Sequence, residues 1–147
     1  TPEILVQKME ALKQFKMRAI YCLGEETTDL PDQNLDQLLK EQVGILKDFP
    51  STHLIIAYEP KWAIGTGREA EPQHIRRVST YIRQHLVNLY GQEQALNIPL
   101  LYGGSVNAKN LSPILDLENI NGALVGSASL DLDHFIALIE LFIDANL

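Results

Sequence analysis

The sequence predicts an α/β fold built from parallel βα units, and two observations support that prediction. Short apolar stretches alternate with longer stretches in which apolar residues recur at helical spacing. Each short stretch is also followed by glycines or polar residues. Alternation of this kind implies a parallel sheet whose strands are joined by right-handed helical crossovers.

The first part of the chain predicts a helix followed by a strand. Thr1 can cap the helix and Pro2 suits its first turn, and the helical pattern continues to about Lys16. Residues 18–23 (R-A-I-Y-C-L), which are apolar after Arg18, predict the first strand, which Gly24 ends. A polar loop separates this strand from the next helical pattern.

The rest of the chain repeats this order three times. The predicted elements are a helix with its apolar stripe at 35–46 that ends near Phe49-Pro50, a strand at 54–58, a helix at 75–89 closed by Gly91, a strand at 98–102, a short helix at 108–115, a strand at 122–125 and a helix at 132–145. The last helix is apolar on nearly every side, so we expect it to pack on more than one surface. The sequence therefore predicts four βα units preceded by one helix, in a single domain over residues 1–147.

The glycine and polar residues after the strands bear on the type of sheet. Periodicity alone leaves a doubly wound sheet and a (βα)8 barrel both open. The strands look buried on both faces, as parallel strands usually are. Because the active face of a (βα)8 barrel lies at the carboxyl ends of its strands, the clusters found there favour the barrel.

The composition excludes several classes of function. The chain has 147 residues, of which 46% are hydrophobic and 21% charged, as expected of a globular domain with a sizeable core. The net charge of −7, without a basic cluster, argues against nucleic acid and anionic membrane surfaces as partners. No apolar run approaches the roughly 20 residues that a membrane-spanning helix needs.

Cysteine and histidine predict neither a disulfide nor a metal site. Cys22 is the single cysteine and cannot form an internal disulfide, which together with the lack of a leader pattern predicts a cytoplasmic location. The histidines lack the spacing of metal ligands, so no metal or cofactor is expected; they are His53, His74, His85 and His134.

Glu59 directly follows the predicted strand at 54–58. Pro60 biases it toward extended backbone and prevents a helix from starting there. Gly65 and Gly67 leave backbone N–H groups uncovered in the following loop and let that loop bend. A carboxylate beside a loop that can close over it is a candidate general base with a lid. A Glu-Pro pair after a strand is also common in solvated turns, so these residues alone leave both interpretations open.

Three stretches of the sequence resemble motifs of the triosephosphate isomerase family. Residues 57–67 read A-Y-E-P-K-W-A-I-G-T-G, and this string matches the family signature with one variable position. The strings Y-G-G-S-V at 102–106 and L-V-G-S-A-S-L at 124–130 follow in the family's order. The resemblance covers the whole chain. It implies the carboxyl-terminal half of a (βα)8 TIM barrel, from the helix before strand five to the final helix.

The resemblance also implies an activity and a set of site residues. The family interconverts dihydroxyacetone phosphate and glyceraldehyde 3-phosphate by proton transfer, in glycolysis and gluconeogenesis, without cofactor or metal. Glu59 would be the base that moves the proton. The phosphate of the triose substrate would be bound by Gly65, Ser105, Gly126 and Ser127.

The residues that follow Glu59 would form the lid that closes over the substrate: Pro60, Trp62, Ala63, Ile64, Thr66 and Gly67. Tyr102 would form a hydrogen bond with the closed lid. Cys22 matches a family cysteine beside the base, although we expect a small buried hydrophobic residue without a chemical role. Glu25 matches a family carboxylate and is expected to be structural.

Two residues depart from the family pattern. Lys61 stands where the family usually has an apolar hinge residue, and we expect its side chain to point outward. Ser127 replaces a common glycine in the phosphate motif. If that position requires positive φ, serine adds roughly 1 kcal/mol of strain; if φ is ordinary, the N–H remains available to the phosphate.

The resemblance further implies that this chain alone is inactive. The family polarises the substrate carbonyl with a lysine and a histidine, and both correspond to positions before Thr1, as does the loop that locks the family's homodimer. Loss of such donors typically costs several kcal/mol of transition-state stabilisation each. A half barrel also has two open sheet edges, so we expect it to self-associate or to bind the missing amino-terminal half.

Two other functions remain as alternatives. The chain could be a non-catalytic half barrel that only self-assembles or binds phosphate. It could also belong to another phosphate-binding barrel enzyme, such as an epimerase. Such an enzyme would share the final phosphate site but would not be expected to carry the Glu-Pro-x-Trp lid.

Overall fold

A parallel sheet of four strands in the order β1-β2-β3-β4 lies at the centre of the computed structural model, which describes residues 1–66 and 68–145. The strands are β1 (Ala19–Leu23), β2 (Leu54–Tyr58), β3 (Leu100–Tyr102) and β4 (Gly122–Ala123). Leu23 pairs with Tyr58, Tyr58 with Tyr102, and Tyr102 with Ala123. The carboxyl ends of all four strands are thus aligned, and the residues that follow them lie along one edge of the sheet.

Helices connect the strands in the predicted alternation. The α-helices are α1 (Pro2–Gln14), α2 (Asp32–Gly44), α3 (Pro72–Tyr90), α4 (Gln92–Leu96), α5 (Leu111–Leu115) and α6 (Leu132–Ala145). Three short 3-10 helices lie at Ser51–His53, Lys61–Ala63 and Ser127–Leu130. The predicted α/β class with parallel βα units is confirmed.

The connection between α3 and β3 differs from the prediction. Gly91 ends α3 as expected, with a φ of 81° that glycine adopts freely. The additional helix α4 then begins at once, and it was not predicted because its five residues bury only Ala95. The strand β3 begins at Leu100 and not at residue 98. Pro99 cannot donate to the ladder, and only its carbonyl joins the sheet, by accepting the Ile56 N–H at 2.9 Å.

The two faces of the sheet are unequal. Along β1 the side chains of Ala19, Tyr21 and Leu23 are buried against the helices, whereas those of Ile20 and Cys22 are exposed. Ile20 is 52% exposed. The prediction that the strands are buried on both faces is therefore wrong for β1, since no described residue covers its second face.

The core lies between the covered face of the sheet and the long helices. Its largest fully buried side chains include Leu35, Leu39, Ile56, Tyr58, Ile75, Ile82, Leu86 and Leu100. The last helix contributes less, because only Leu138 of α6 is buried while Ile139 and Ile143 are 43% and 50% exposed. In the described chain α6 contacts α5 and the 3-10 helix Ser127–Leu130, and much of its apolar surface stays exposed.

Arg83 ties α3 to the segments that precede β3 and β4. Its side chain is buried, and its guanidinium donates to the carbonyls of Ala95 and Ile98, and of Asn119 at 3.5 Å. Burial lowers the pKa of Arg83. Because one side chain bonds three carbonyls, Arg83 fixes α3, the helix that also carries His74. Within the described residues, no helix has both the length and the apolarity to cross a bilayer.

Candidate active site at the carboxyl edge of the sheet

Glu59 lies directly after β2 with its side chain half-buried. Its backbone N–H donates to the Leu23 carbonyl at 2.7 Å, so β1 fixes the backbone of the candidate base. Gly103, directly after β3, leaves room for the Glu59 side chain. A Cβ at position 103 would lie 2.7 Å from the Glu59 Cγ and 3.3 Å from Oε1. The neighbouring strand ends thus position Glu59 from both sides.

Cys22 lies beside Glu59 on the open face of the sheet. Its side chain is exposed, so the prediction of a buried cysteine is wrong, for the same reason that Ile20 is exposed. Partial desolvation raises the pKa of the Cys22 thiol to about 11, and a hydrogen bond to Glu59 and its negative charge add to that increase. The thiol is therefore protonated at neutral pH and is a poor nucleophile.

Glu25 is the centre of a buried polar cluster under the loop after β2. Only 1% of it is exposed. Its Oε1 accepts hydrogen bonds from the Tyr58 hydroxyl at 2.9 Å, from Trp62 Nε1 at 2.8 Å and from His74 Nε2 at 2.9 Å. The Lys61 N–H also donates to the backbone carbonyl of Glu25 at 2.9 Å. Glu25 thus connects the loop after β1 to β2, to the lid and to α3.

His74 is the residue of this cluster that sequence reasoning did not single out. It lies in the first turns of α3 and belongs to no motif. Its partner Glu25 is 49 residues away in the sequence. No pattern in the sequence could have indicated the contact, because helical spacing does not say which loop packs against a given face.

Burial alone would raise the pKa of the Glu25 carboxyl group. The hydrogen bonds from His74, Trp62 and Tyr58 stabilise the ionised form by more than burial destabilises it, so the pKa lies below its ordinary value of 4.5. The cluster therefore holds an ionised carboxylate at neutral pH.

The lowered pKa of Glu25 predicts acid sensitivity of the fold. The unfolded chain binds a proton at Glu25 more readily than the folded chain does, so the stabilisation is complete above pH 4.5 and is lost as the pH falls through the lower folded value. Glu25→Gln is expected to reduce this pH dependence and to cost about 2 kcal/mol at pH 7. Urea unfolding between pH 7 and acid would measure both effects.

Glu10→Gln serves as the control for this measurement, because Glu10 is an exposed glutamate of α1. That variant should keep the pH dependence of the unaltered chain. A Glu25→Gln variant with that same dependence would contradict the assignment.

The loop of residues 60–68, called the lid here after its predicted role, is anchored through Trp62 in its described part. The indole ring donates to Glu25, and the Arg68 guanidinium lies 5.3 Å from the ring centroid, within the range of a cation–π contact. The Thr66 hydroxyl donates to the Trp62 carbonyl at 2.9 Å. The second half of the lid, through Thr66 and Arg68, therefore contacts Trp62 in the first half.

The other lid residues divide into a buried base and an exposed tip. Ala63 is fully buried, whereas Ile64 is 44% exposed. Gly65 has a φ of 66° and supplies the left-handed turn at the tip. Pro60 is buried, and Gly67 lies outside the described residues. The side chain of Lys61 points outward as expected, and its Nζ lies 2.7 Å from Glu26 Oε1 in an exposed ion pair.

Tyr102 ends β3 near the segment that follows the lid. Its hydroxyl is buried near the backbone of Ala70, and burial raises its pKa. Gly104 makes room for it, since a Cβ at that position would lie 2.2 Å from the Tyr102 hydroxyl. This position suits the contact with a closed lid expected for Tyr102, which stays a prediction.

The candidate phosphate ligands follow β3 and β4. Ser105 is half-buried, whereas Gly126 and Ser127 are exposed at the start of the 3-10 helix Ser127–Leu130. Among the described residues only Lys16 is a non-glycine with positive φ, so Ser127 carries no strain of that kind. The aligned strand ends bring these residues to the same edge as Glu59. Their binding of phosphate stays a prediction.

No group of three or more metal-ligating side chains occurs in the part of the chain that the structure describes. Three of the histidines each contact a single carboxylate: His74 contacts Glu25, His85 contacts Asp36 and His134 contacts Asp131.

The parallel sheet, its crossover helices and its aligned strand ends place the chain in the class of (βα)8 barrels, of which it forms a part. The sequence model for triosephosphate isomerase matches residues 1–142, and the chain belongs to that family. The resemblance seen in the three motifs is thereby confirmed.

Relatives named triosephosphate isomerase are similar to this chain along nearly all of it. The relative from Mycoplasmoides gallisepticum is 44% identical over 147 residues, with 94% of this chain and 56% of the relative covered. The relative from Lawsonia intracellularis is 42% identical over 143 residues, with 95% and 56% covered. The Thermus thermophilus relative is 38% identical, with 96% and 58% covered. The chain thus spans about half the length of the curated relatives it matches.

Proposed function

We propose that this chain supplies the base, the lid and the phosphate site of a triosephosphate isomerase, which interconverts dihydroxyacetone phosphate and glyceraldehyde 3-phosphate. The observation that carries the proposal is the position of Glu59. It is a half-buried carboxylate fixed at the end of β2, with room provided by Gly103 and with the lid attached directly behind it. Membership of the family supports the same reaction.

The proton transfer needs one carboxylate that first accepts and then donates. Glu59 takes a proton from the carbon next to the substrate carbonyl, so that the C–H electron pair forms a C=C bond and the carbonyl π pair moves onto the carbonyl oxygen. The proton of the hydroxyl group on the first carbon is transferred to that oxygen. Glu59 then returns its proton to the former carbonyl carbon while a new carbonyl forms on the first carbon, so atoms and electrons balance without an external oxidant or reductant. A lid that excludes water increases the basicity of the carboxylate and protects the intermediate.

Binding of the triose phosphate group is proposed to keep the substrate in position. Backbone N–H groups of Gly65, Gly126 and Ser127, together with Ser105, are proposed to bind it. Gly126 and Ser127 are exposed at the start of the 3-10 helix Ser127–Leu130, and the first backbone N–H groups of a helix have no partner within the helix. Because Gly65 is in the lid, closure of the lid and binding of the phosphate would be coupled.

Under this proposal the chain needs a further polypeptide segment to complete the active site. The reaction also requires groups that polarise the carbonyl, and in the family these lie outside the part that this chain matches. The glycolytic role and the cytoplasmic location belong to the same proposal.

A non-catalytic half barrel that self-associates is the second candidate function, and the open face of the sheet favours it. Ile20 on β1 and Ile139 and Ile143 on α6 leave apolar surface in contact with water. The outer edges of β1 and β4 have no neighbouring strand in the described chain. Apolar surface and open edges of this kind promote association.

A coupled assay of glyceraldehyde 3-phosphate isomerisation distinguishes the two candidates. We expect no turnover from the chain alone. We expect turnover after refolding with the segment of the Mycoplasmoides gallisepticum relative that has no counterpart in this chain. Each polypeptide alone is the control. A stable complex of the two polypeptides that shows no turnover would contradict the proposed function, and sedimentation would show whether the chain self-associates instead.

A further inference from the structure

Asp32, Arg77 and His74 form a series of polar contacts, here called the relay, that ends on Glu25 beneath the lid. Asp32 Oδ1 lies 3.0 Å from Arg77 Nη1, and Arg77 Nη2 lies 3.0 Å from His74 Nδ1. His74 Nε2 in turn lies 2.9 Å from Glu25 Oε1. The three relay residues belong to none of the three motifs in the sequence.

The relay determines which nitrogen of His74 carries the proton. A guanidinium group has only hydrogen-bond donors, so His74 Nδ1 must accept from Arg77 and carries no proton. The proton of the neutral ring is then on Nε2, from which it is donated to Glu25. Asp32 forms an ion pair with the same guanidinium, and this pair is exposed, so it contributes little. Arg77 thus selects the tautomer of His74 that can donate to the carboxylate.

The effect of the relay reaches Trp62 by two routes. The Glu25 oxygen that accepts from His74 also accepts from Trp62 Nε1. The His74 ring also packs edge-on against the indole, with ring centroids 5.8 Å apart and planes at 72°. The side chain of His74 is 17% exposed and that of Glu25 is 1% exposed. Hydrogen bonds so well shielded from water are stronger than exposed ones.

We propose that His74 and Arg77 are positioning residues of the lid: Arg77 fixes the tautomer of His74, His74 fixes the Glu25 carboxylate, and the carboxylate holds Trp62 against the sheet. The role of residues 60–68 as a lid rests on the proposed function, whereas the contacts among these residues do not depend on that function. His74 and Arg77 act on the reaction only through Glu25 and Trp62.

The test uses Trp62 itself as the reporter, because it is the single tryptophan of the chain. His74→Leu removes the donor to Glu25. It is expected to shift the equilibrium between the docked and the released position of Trp62 about tenfold toward the released position. Acrylamide quenching of tryptophan fluorescence should therefore increase. His74→Gln keeps an N–H donor at a similar reach and should restore most of the protection.

His85→Leu is the matched control. His85 lies on the same helix, and its Nε2 contacts Asp36 Oδ1 at 2.8 Å with a side chain that is 10% exposed. The variant therefore loses a comparable histidine–carboxylate contact away from the lid, and quenching should match the unaltered chain. Equal quenching in the His74→Leu and His85→Leu variants would overturn the proposal, as would a His74→Gln variant that behaves like His74→Leu.

A second measurement needs no variant, in case His74→Leu does not fold. The ¹⁵N chemical shifts of the His74 ring should identify the Nε2–H tautomer in the unaltered chain, whereas an Nδ1–H tautomer would overturn the proposal. Arg77→Leu should then give a mixture of tautomers and an intermediate increase in quenching. None of these readouts needs substrate or turnover, so a failed isomerase assay would leave the inference testable.

Discussion

Replacing Glu59 with glutamine is expected to lower the turnover of the chain, refolded with the complementary segment of a relative, by about 10³-fold. A positioned general base contributes an acceleration of that order. The amide keeps the shape of the side chain and fits the space that Gly103 leaves. It cannot accept and return a proton. The fold and the proposed phosphate site should be unaffected, because the Glu59 backbone N–H stays bonded to Leu23 and the proposed phosphate ligands after β3 and β4 lie on other strand ends.

The measurement compares kcat with the affinity for a non-reacting phosphorylated substrate analogue. Both are determined on the chain refolded with the complementary segment. Glu59→Gln should lower kcat and leave the affinity nearly unchanged. Glu93→Gln, at an exposed position in α4, is the control and should leave both unchanged. Unchanged turnover in Glu59→Gln would remove Glu59 as the base, and an equal loss of affinity would assign it to substrate binding instead.

The strand ends are the part of the site that the sequence predicted best. Glu59, Ser105 and Gly126 each follow a short apolar stretch, and a parallel register brings such residues to one edge of the sheet. The prediction depended only on local features: where a strand stops and which residue comes next. The lid was predicted for the same reason, as a continuous stretch that begins at Pro60.

The contacts that hold the lid could not be predicted in this way. Glu25 and His74 meet across 49 residues, and each is unremarkable in its own segment. Cys22 was expected to be buried because parallel strands usually are, yet the face it occupies is not covered by any described residue. A local pattern cannot say whether a face of the sheet is covered, because that depends on segments distant in the sequence.

The locally predicted motif and the long-range contacts of Glu25 and His74 meet at Trp62. The local motif places the indole just after the candidate base, and the distant relay fixes where the indole docks. The exposed ion pair of Lys61 with Glu26 adds little, because exposed pairs are weak and screened by salt. We therefore expect lid position to depend on the buried Glu25 cluster far more than on the departure from the family pattern at Lys61.

Replacing Gly24 with alanine should produce the largest loss of stability. A Cβ at position 24 would lie 2.2 Å from the Glu59 carbonyl oxygen and 2.7 Å from its carbonyl carbon. These are backbone atoms of the segment directly after β2, which cannot rotate away as a side chain could. Gln42 also holds Gly24 in place, accepting from its N–H at 3.0 Å and donating to its carbonyl at 3.1 Å. We expect a loss of about 3 kcal/mol, the upper range for overpacking.

Urea unfolding of Gly24→Ala beside Gly44→Ala measures this effect. A Cβ at position 44 would meet nothing within 4 Å, and Gly44 lies at the end of α2, so this control should be neutral or slightly stabilised. Gln42→Ala releases the hold on Gly24 and lets the loop after β1 shift away from Glu59. The double variant Gly24→Ala with Gln42→Ala should thus lose less stability than the sum of the two single variants. If the free-energy losses of the two single variants add up to that of the double variant, movement of the loop after β1 does not relieve the clash. An unchanged unfolding midpoint for Gly24→Ala would refute the clash itself.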